Sequence, residues 1–208
     1  NSIALGVQGL IHIDTGGGAG GSADYLLAKS LRFRSSASAY LNRTFAAGNQ
    51  KTWTWSAWVK RGKLSDYPTL FSIGSGSLSN NYGAFRFNDS TNTFEIFDAT
   101  NNTGTTIINW VSTAVYRDPA AWYHIVVVLD TPQASAADRF KLYVNGVIQA
   151  GSFGTTPAQN ANCLFNQAAN HAIGIFAGSY PSTQYFDGEL AEVNFVDGRA
   201  VPIAELGA

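Results

Sequence analysis

From Ser30 onward, apolar and polar residues alternate with a period of two. That spacing places successive side chains on opposite faces of a β-strand. Leu31-Arg32-Phe33-Arg34 alternates apolar with basic residues. In Trp53-Thr54-Trp55-Ser56-Ala57-Trp58-Val59-Lys60, the odd positions put Trp53, Trp55, Ala57 and Val59 on one face. Trp58 falls on the other face, which predicts a second layer or a covering loop over it. Leu70-Phe71-Ser72-Ile73 stops at Gly74-Ser75-Gly76, a turn signal. Phe85-Arg86-Phe87 and Phe94-Glu95-Ile96-Phe97 flank a polar stretch, 88–92, that reads as a hairpin loop. Residues 105–111 form a further short strand. Residues 122–130 are apolar on both parities, the pattern of a central strand covered on both faces. Residues 139–144 alternate and run into Asn145-Gly146 before Val147-Ile148. Asn-Gly between such runs predicts a tight hairpin, because both central positions need positive φ. Residues 172–177 and 188–196 supply the last strands. Residues 133–137 and 202–206 are long enough for one helical turn each.

The first 28 residues differ. Short apolar runs, Ile3-Ala4-Leu5 and Leu10-Ile11-His12-Ile13, precede the small residues 16–21, a flexible hinge. The expected organisation is an N-terminal arm and linker, 1–28, ahead of one domain, 29–208. Regular strands separated by turn residues predict an all-β fold, a two-sheet antiparallel sandwich or jelly roll.

Composition narrows the function classes. Only 13% of residues are charged, while Asn, Ser, Thr and Gly total 71 of 208. Small polar side chains lose less entropy than Lys or Glu when packed against a neighbour. With a formal net charge of −1 and no basic run, nucleic acid is not an expected partner. No stretch of apolar residues is long enough for a membrane-spanning helix. Cys163 is the single cysteine, so no intrachain disulfide forms. The sequence has no methionine and begins with Asn1, which predicts a start elsewhere than at this residue, and no signal peptide is legible in it.

Four segments in order resemble the concanavalin A-like sandwich, in its laminin G-like and pentraxin-like branch. They are Ser30-Leu31-Arg32-Phe33 with Tyr40-Leu41; Thr54-Trp55-Ser56-Ala57-Trp58-Val59-Lys60; the pair Trp122-Tyr123-His124-Ile125-Val126-Val127-Val128 and Phe140-Lys141-Leu142-Tyr143-Val144-Asn145-Gly146; and the closing Phe186-Asp187-Gly188-Glu189-Leu190-Ala191-Glu192-Val193 with Phe195-Val196-Asp197-Gly198. The resemblance covers about residues 29–208. It implies a two-sheet jelly roll. The tail Asp197-Gly198-Arg199-Ala200 is most similar to versions found in bacteriophage virion proteins.

That fold hosts hydrolases, lectins and structural modules, so the chemistry has to come from a site. Glycoside hydrolysis needs two carboxylates across a cleft. Glu189 and Glu192 are three apart, which predicts that they face opposite sides of a strand, and no catalytic residue is assigned. His124 is read as a core or semi-buried histidine, and His171 and Cys163 form no motif. No zinc set is present, and no cofactor is expected. The resemblance admits Ca²⁺ on loop carboxylates, for which Asp66, Asp89, Asp98 and Asp187 are available without an acidic motif. Sugar binding needs aromatic platforms beside amides. Asn81, Tyr82, Tyr180, Gln184 and Tyr185 are the candidates, with the stretch from Asn101-Asn102 to Trp110 a further one.

Two functions follow as expectations. The first is a non-enzymatic virion protein, a capsid decoration or tail-fibre subunit. Its arm residues Ile3, Leu5, Leu10, Ile11 and Ile13 would clasp a neighbouring copy, with a trimer as the expected oligomer and neighbouring virion proteins and host glycans as partners. The second is a secreted carbohydrate-binding adhesion module.

Overall fold

The computed structural model describes residues 8–12, 26–74, 81–100, 105–178 and 183–206. Among them, strands follow one another with short 3₁₀ turns between. In chain order they are β1 (Gln8–His12), β2 (Leu26–Lys29), β3 (Leu31–Phe33), β4 (Leu41–Thr44), β5 (Thr52–Arg61), β6 (Thr69–Ile73), β7 (Tyr82–Phe87) and β8 (Thr93–Thr100). Then come β9 (Thr105–Val115), β10 (Trp122–Asp130), β11 (Phe140–Val144), β12 (Val147–Ile148), β13 (Gly151–Thr155), β14 (Asn170–Ile173) and β15 (Gly188–Asp197). The first large sheet is ordered β12-β11-β10-β5-β15-β3 and the second β13-β9-β8-β7-β6-β14-β4. Neighbours within each are antiparallel. This is the expected two-sheet sandwich.

The core lies between the sheets and is dominated by aromatic rings. Trp53 and Trp55, projecting inward from β5, meet Phe85 of β7 at centroid distances of 5.9 and 5.4 Å. Phe165, from the loop before β14, packs on Phe85 at 4.6 Å and on Phe71 at 5.8 Å. The predicted turn is present, with Asn145 at φ 50° and Gly146 at φ 77°, joining β11 to β12.

Trp58 does point away from this core. It stands opposite His124 on β10, and the two rings stack at 4.8 Å. The layer over it comes from the chain's own N-terminal region. β2 pairs antiparallel with β1, and Leu27 of β2 is fully buried with Trp58 and Ala191, with Trp122 packed against them. The boundary expected at residue 28 falls inside β2. The C-terminal tail covers the same outer face farther along, since Thr54 Oγ1 donates to Arg199 O at 2.9 Å and accepts from Val201 N at 2.9 Å.

Two expectations need correction. The strand expected over 172–177 stops at Ile173, because Gly174 adopts φ 84° and turns the chain out of the sheet. Glu189 and Glu192 do not obey simple alternation either. A β-bulge interrupts the pairing of β15 with β5 between Ala191 and Asn194, with Glu192 at φ 48°. Leu190, Val193 and Phe195 therefore all reach the core, while Glu189 is half-buried and Glu192 exposed, both off it. One extra residue resets the parity downstream.

Candidate functional site

On the second sheet, Phe85 and Phe87 of β7 and Phe94 and Ile96 of β8 face the core. Alternation therefore turns Tyr82, Arg86, Glu95, Phe97 and Ala99 outward. Strand register gathers these side chains into rows. Arg86 pairs with Glu95, which pairs with Val111 of β9. Ala84 pairs with Phe97, which pairs with Asn109. Tyr82 pairs with Ala99, which pairs with Thr106. A wall rises beside them where the chain leaves β14. Phe176 N–H donates to Gln184 C=O at 3.2 Å, and Ile175 bridges Tyr185. The result is a groove of about 560 Å³, lined by these rows except the buried Ala84, together with Phe176 and Gln184.

Its floor is aromatic. Tyr82, Phe97 and Phe176 make mutual edge-on contacts at 5.8 to 6.1 Å. Its charges form one network. Arg86 Nε donates to Glu95 Oε2 at 2.9 Å, and Arg86 Nη1 donates to Gln184 Oε1 at 3.2 Å. Arg86 Cζ lies over the rings of Phe97 and of Tyr67, the latter from the loop before β6. The neighbouring Asp89 carboxylate pushes the Tyr67 hydroxyl pKa up, with burial adding to it. Polar amides beside half-buried aromatic edges suit a ligand that has both an apolar face and hydroxyls. Glu95 is the one carboxylate among the described lining residues, so an acid–base pair does not assemble there.

Of the residues proposed from sequence, Tyr82 and Gln184 line the groove. Asn81 adjoins Tyr82 at the start of β7, outside the lining. Tyr185 packs elsewhere, 6.4 Å from Tyr40 and against the cluster of Ala172, Ile175 and Ala177. Tyr180 lies outside the described residues. So do Asn101 and Asn102, whereas Trp110 points into the core and packs on Phe140 at 5.2 Å. Among the arm residues, Ile3, Leu5 and Ile13 also lie outside them, while Leu10 and Ile11 belong to β1. Within the stretch from Asn101-Asn102 to Trp110, Thr106 and Asn109 line the groove. Sequence reading missed Arg86, Glu95 and Phe97, although they are the outward positions of two strands already recognised as a hairpin.

The other titratable groups are structural. His124 is buried, and burial pulls its pKa down to about 4. His171 sits in the core, stacked on Phe45 at 4.1 Å. Its Nε2 accepts from Asn166 N–H and its Nδ1 lies 2.9 Å from Ala169 O, which fixes a neutral ring with its proton on Nδ1. Burial lowers its pKa to about 4 as well. Asp98 points inward and accepts from Leu164 N–H at 2.6 Å, and burial raises its carboxyl pKa to about 7. The Cys163 thiol beside it is held well above its usual range, first by burial and then by Asp98. Asp187 ties Arg32 and Ser35 to the sheet edge, and Asp66 pairs with Lys63. Among the described residues, no three His, Cys, Asp or Glu side chains converge as metal ligands.

The concanavalin A-like lectin/glucanases superfamily pattern matches residues 33–205. No curated protein sequence matches the chain. Among solved structures, domain 4 of AbnA, a GH43 extracellular arabinanase from Geobacillus stearothermophilus, in complex with arabinotriose, is similar at TM-score 0.62 and 16% identity, over 91% of this chain and 82% of that one. The Ruminococcus gnavus IT-sialidase CBM40 bound to α2,3-sialyllactose is similar at TM-score 0.54 and 14% identity, over 80% of this chain and 96% of that one. At these identities the likeness is one of fold.

Proposed function

The chain belongs to the concanavalin A-like lectin/glucanases superfamily, and from that premise we propose that it is a non-catalytic carbohydrate-binding module. The observation that carries this reading is the groove on the second sheet, with an aromatic floor of Tyr82, Phe97 and Phe176 beside Asn109, Thr106 and Gln184. Sugar rings have an apolar face that stacks on such edges and hydroxyls that reach such amides. Two proteins of similar fold, described above, hold arabinotriose and sialyllactose, which supports the same reading.

Isothermal titration against a panel of oligosaccharides tests it. A bound glycan is expected, with Tyr82→Ala weakening it about tenfold, the size of a hot-spot aromatic contact. If no glycan binds the intact chain, the reading fails.

The setting of the module is a second proposal: a virion-borne oligomer, with a secreted module as the alternative. It is favoured by the apolar runs, Ile3 to Ile13, ahead of the small residues 16–21. Light scattering is expected to give a trimer that dissociates when residues 1–21 are deleted. An unchanged mass on deletion removes the arm as the clasp.

A further inference from the structure

Among the described lining residues the groove has one cation and one anion, and each is paired with the other. Arg86 Nε donates to Glu95 Oε2 at 2.9 Å, while Glu95 Oε1 accepts from Asn88 Nδ2 at 2.7 Å. Both carboxylate oxygens thus have donors. Asn88 is itself fixed, because its Oδ1 accepts the backbone N–H groups of Ser90 and Thr91 at 2.9 Å each. On the cation, Nη1 is held by Gln184 Oε1 at 3.2 Å, and Cζ lies over the rings of Tyr67 at 4.3 Å and Phe97 at 4.6 Å. The Arg86 and Glu95 side chains are only 18% and 14% exposed.

Tyr67 reaches this position through unusual backbone. Asp66 and Tyr67 adopt φ 66° and 48° in succession, left-handed conformations that residues with a Cβ rarely take. The loop accepts that geometry and so brings an aromatic ring over the guanidinium.

From this arrangement we infer that the groove takes a neutral glycan and rejects an acidic one, with Glu95 as the residue that sets the choice. The inference rests on the carbohydrate-binding reading and deepens it. A ligand carboxylate finds no unpaired cation among the described lining residues, and near Arg86 it meets the Glu95 carboxylate. Like charges brought together in a partly desolvated site disfavour the wrong ligand more than they alter the right one. A neutral sugar incurs no such cost. Its ring meets Tyr82 and Phe97, and its hydroxyls both donate to and accept from Asn109 and Thr106, whose side chains have both capacities.

The test uses calorimetry on the intact chain with arabinotriose and with matched trisaccharides that differ only in CH₂OH against carboxylate: galacto- and galacturono-, gluco- and glucurono-, manno- and mannurono-. The wild-type chain is expected to bind a neutral sugar, and the neutral member of any matched pair at least about tenfold more tightly than its acid, the ratio that one misplaced charged contact supports. In Glu95→Gln, shown to be folded by its thermal transition, the ratio is expected to fall by about fivefold or more, because Arg86 is then unbalanced. An acidic member that binds wild-type protein more tightly overturns the inference and leaves the carbohydrate-binding reading standing. No binding to any sugar removes that reading, and this inference with it. An unchanged ratio in folded Glu95→Gln removes Glu95 from the role. If that variant does not fold, the wild-type ratio still decides the neutral preference, and the double variant Arg86→Gln/Glu95→Gln decides the role of the pair. Retention of the full neutral preference in the double variant overturns it, and a smaller preference supports it.

Discussion

On the outer face of the first sheet, Trp58 stacks on His124 at 4.8 Å and packs against Leu27. On the outer face of the second, Tyr82, Phe97 and Arg86 stand in an open groove. Both faces arise from the same two-residue alternation. They differ in what the outward positions carry and in what the chain lays over them. The first face carries Trp58 and Ala191 beside Thr54 and His124, and is covered by Leu27 of β2 and, farther along, by the tail around Val201. The second carries a balanced ion pair among aromatic edges, and Phe176 and Gln184, joined by a backbone hydrogen bond, stand beside it. A sandwich with two hydrophobic outer faces would need two covers or would associate. Here one face is covered by returning chain, and the other keeps its groove.

The largest expected effect that tests this contrast is on stability. Trp58→Ala should cost about 3–5 kcal/mol in urea unfolding, the usual loss for truncating a buried tryptophan. Tyr82→Ala, on the half-buried groove, should cost about 1 kcal/mol in the same assay. Equal losses would mean that the groove floor is as structural as the sealed face.

Stability should also respond to pH through buried groups, His124 on the covered face and His171 and Asp98 in the core. Unfolded histidine titrates near 6.5, while His124 and His171 are held at about 4 in the fold. The unfolded chain therefore takes up protons first, and stability falls as the pH drops from 6.5 to 4, by up to roughly 3 kcal/mol per histidine. Asp98 works the other way. Its folded pKa of about 7 lies above its ordinary value of 3.8, so its contribution is complete below 3.8 and is lost as the pH rises through 7. Two histidines against one carboxyl leave a net loss on acidification. Urea midpoints at pH 7 and pH ~4.5 should show it. His124→Gln should flatten the slope and Asp98→Asn should steepen it. A slope unaltered in His124→Gln would show that the histidine stacked on Trp58 is not desolvated.

The smallest effects concern ion pairs. A double-mutant cycle on Arg86–Glu95 should give about 1 kcal/mol of coupling, because both side chains are mostly shielded. The same cycle on Arg199–Glu205, whose side chains are 56% and 46% exposed, should give less than about 0.5 kcal/mol. Reversal of that order would place the groove pair in free solvent.

Much of the fold was legible because it is local. The double-sided burial of residues 122–130 announced the central strand, and Asn145-Gly146 announced its hairpin. Trp58 announced a missing cover. The identity of that cover was not legible, since Leu27 sits in a short run that carries no mark of its destination. The bulge at Glu192 was equally silent, because alternation in sequence gives no sign of where one residue will be left out of pairing. For the groove, Tyr82 and Gln184 were found as polar and aromatic loop residues. Arg86 and Glu95 went unnoticed because each is unremarkable until strand register sets it opposite the other.

The sequence by itself determined the two-sheet architecture, the shared face of Trp53, Trp55, Ala57 and Val59, and the outward orientation of Trp58. These follow from side-chain parity, a property of the extended backbone at each residue. Tertiary structure alone decided which outward residues became neighbours. Cross-strand register set Arg86 beside Glu95 and Phe97 beside Asn109, and returning segments sealed one face while walling the other. In the groove those pairings join residues 9 to 98 positions apart, from Arg86–Glu95 to Arg86–Gln184, and on the covered face up to 147 apart, from Thr54 to Val201; only packing over such separations fixes them.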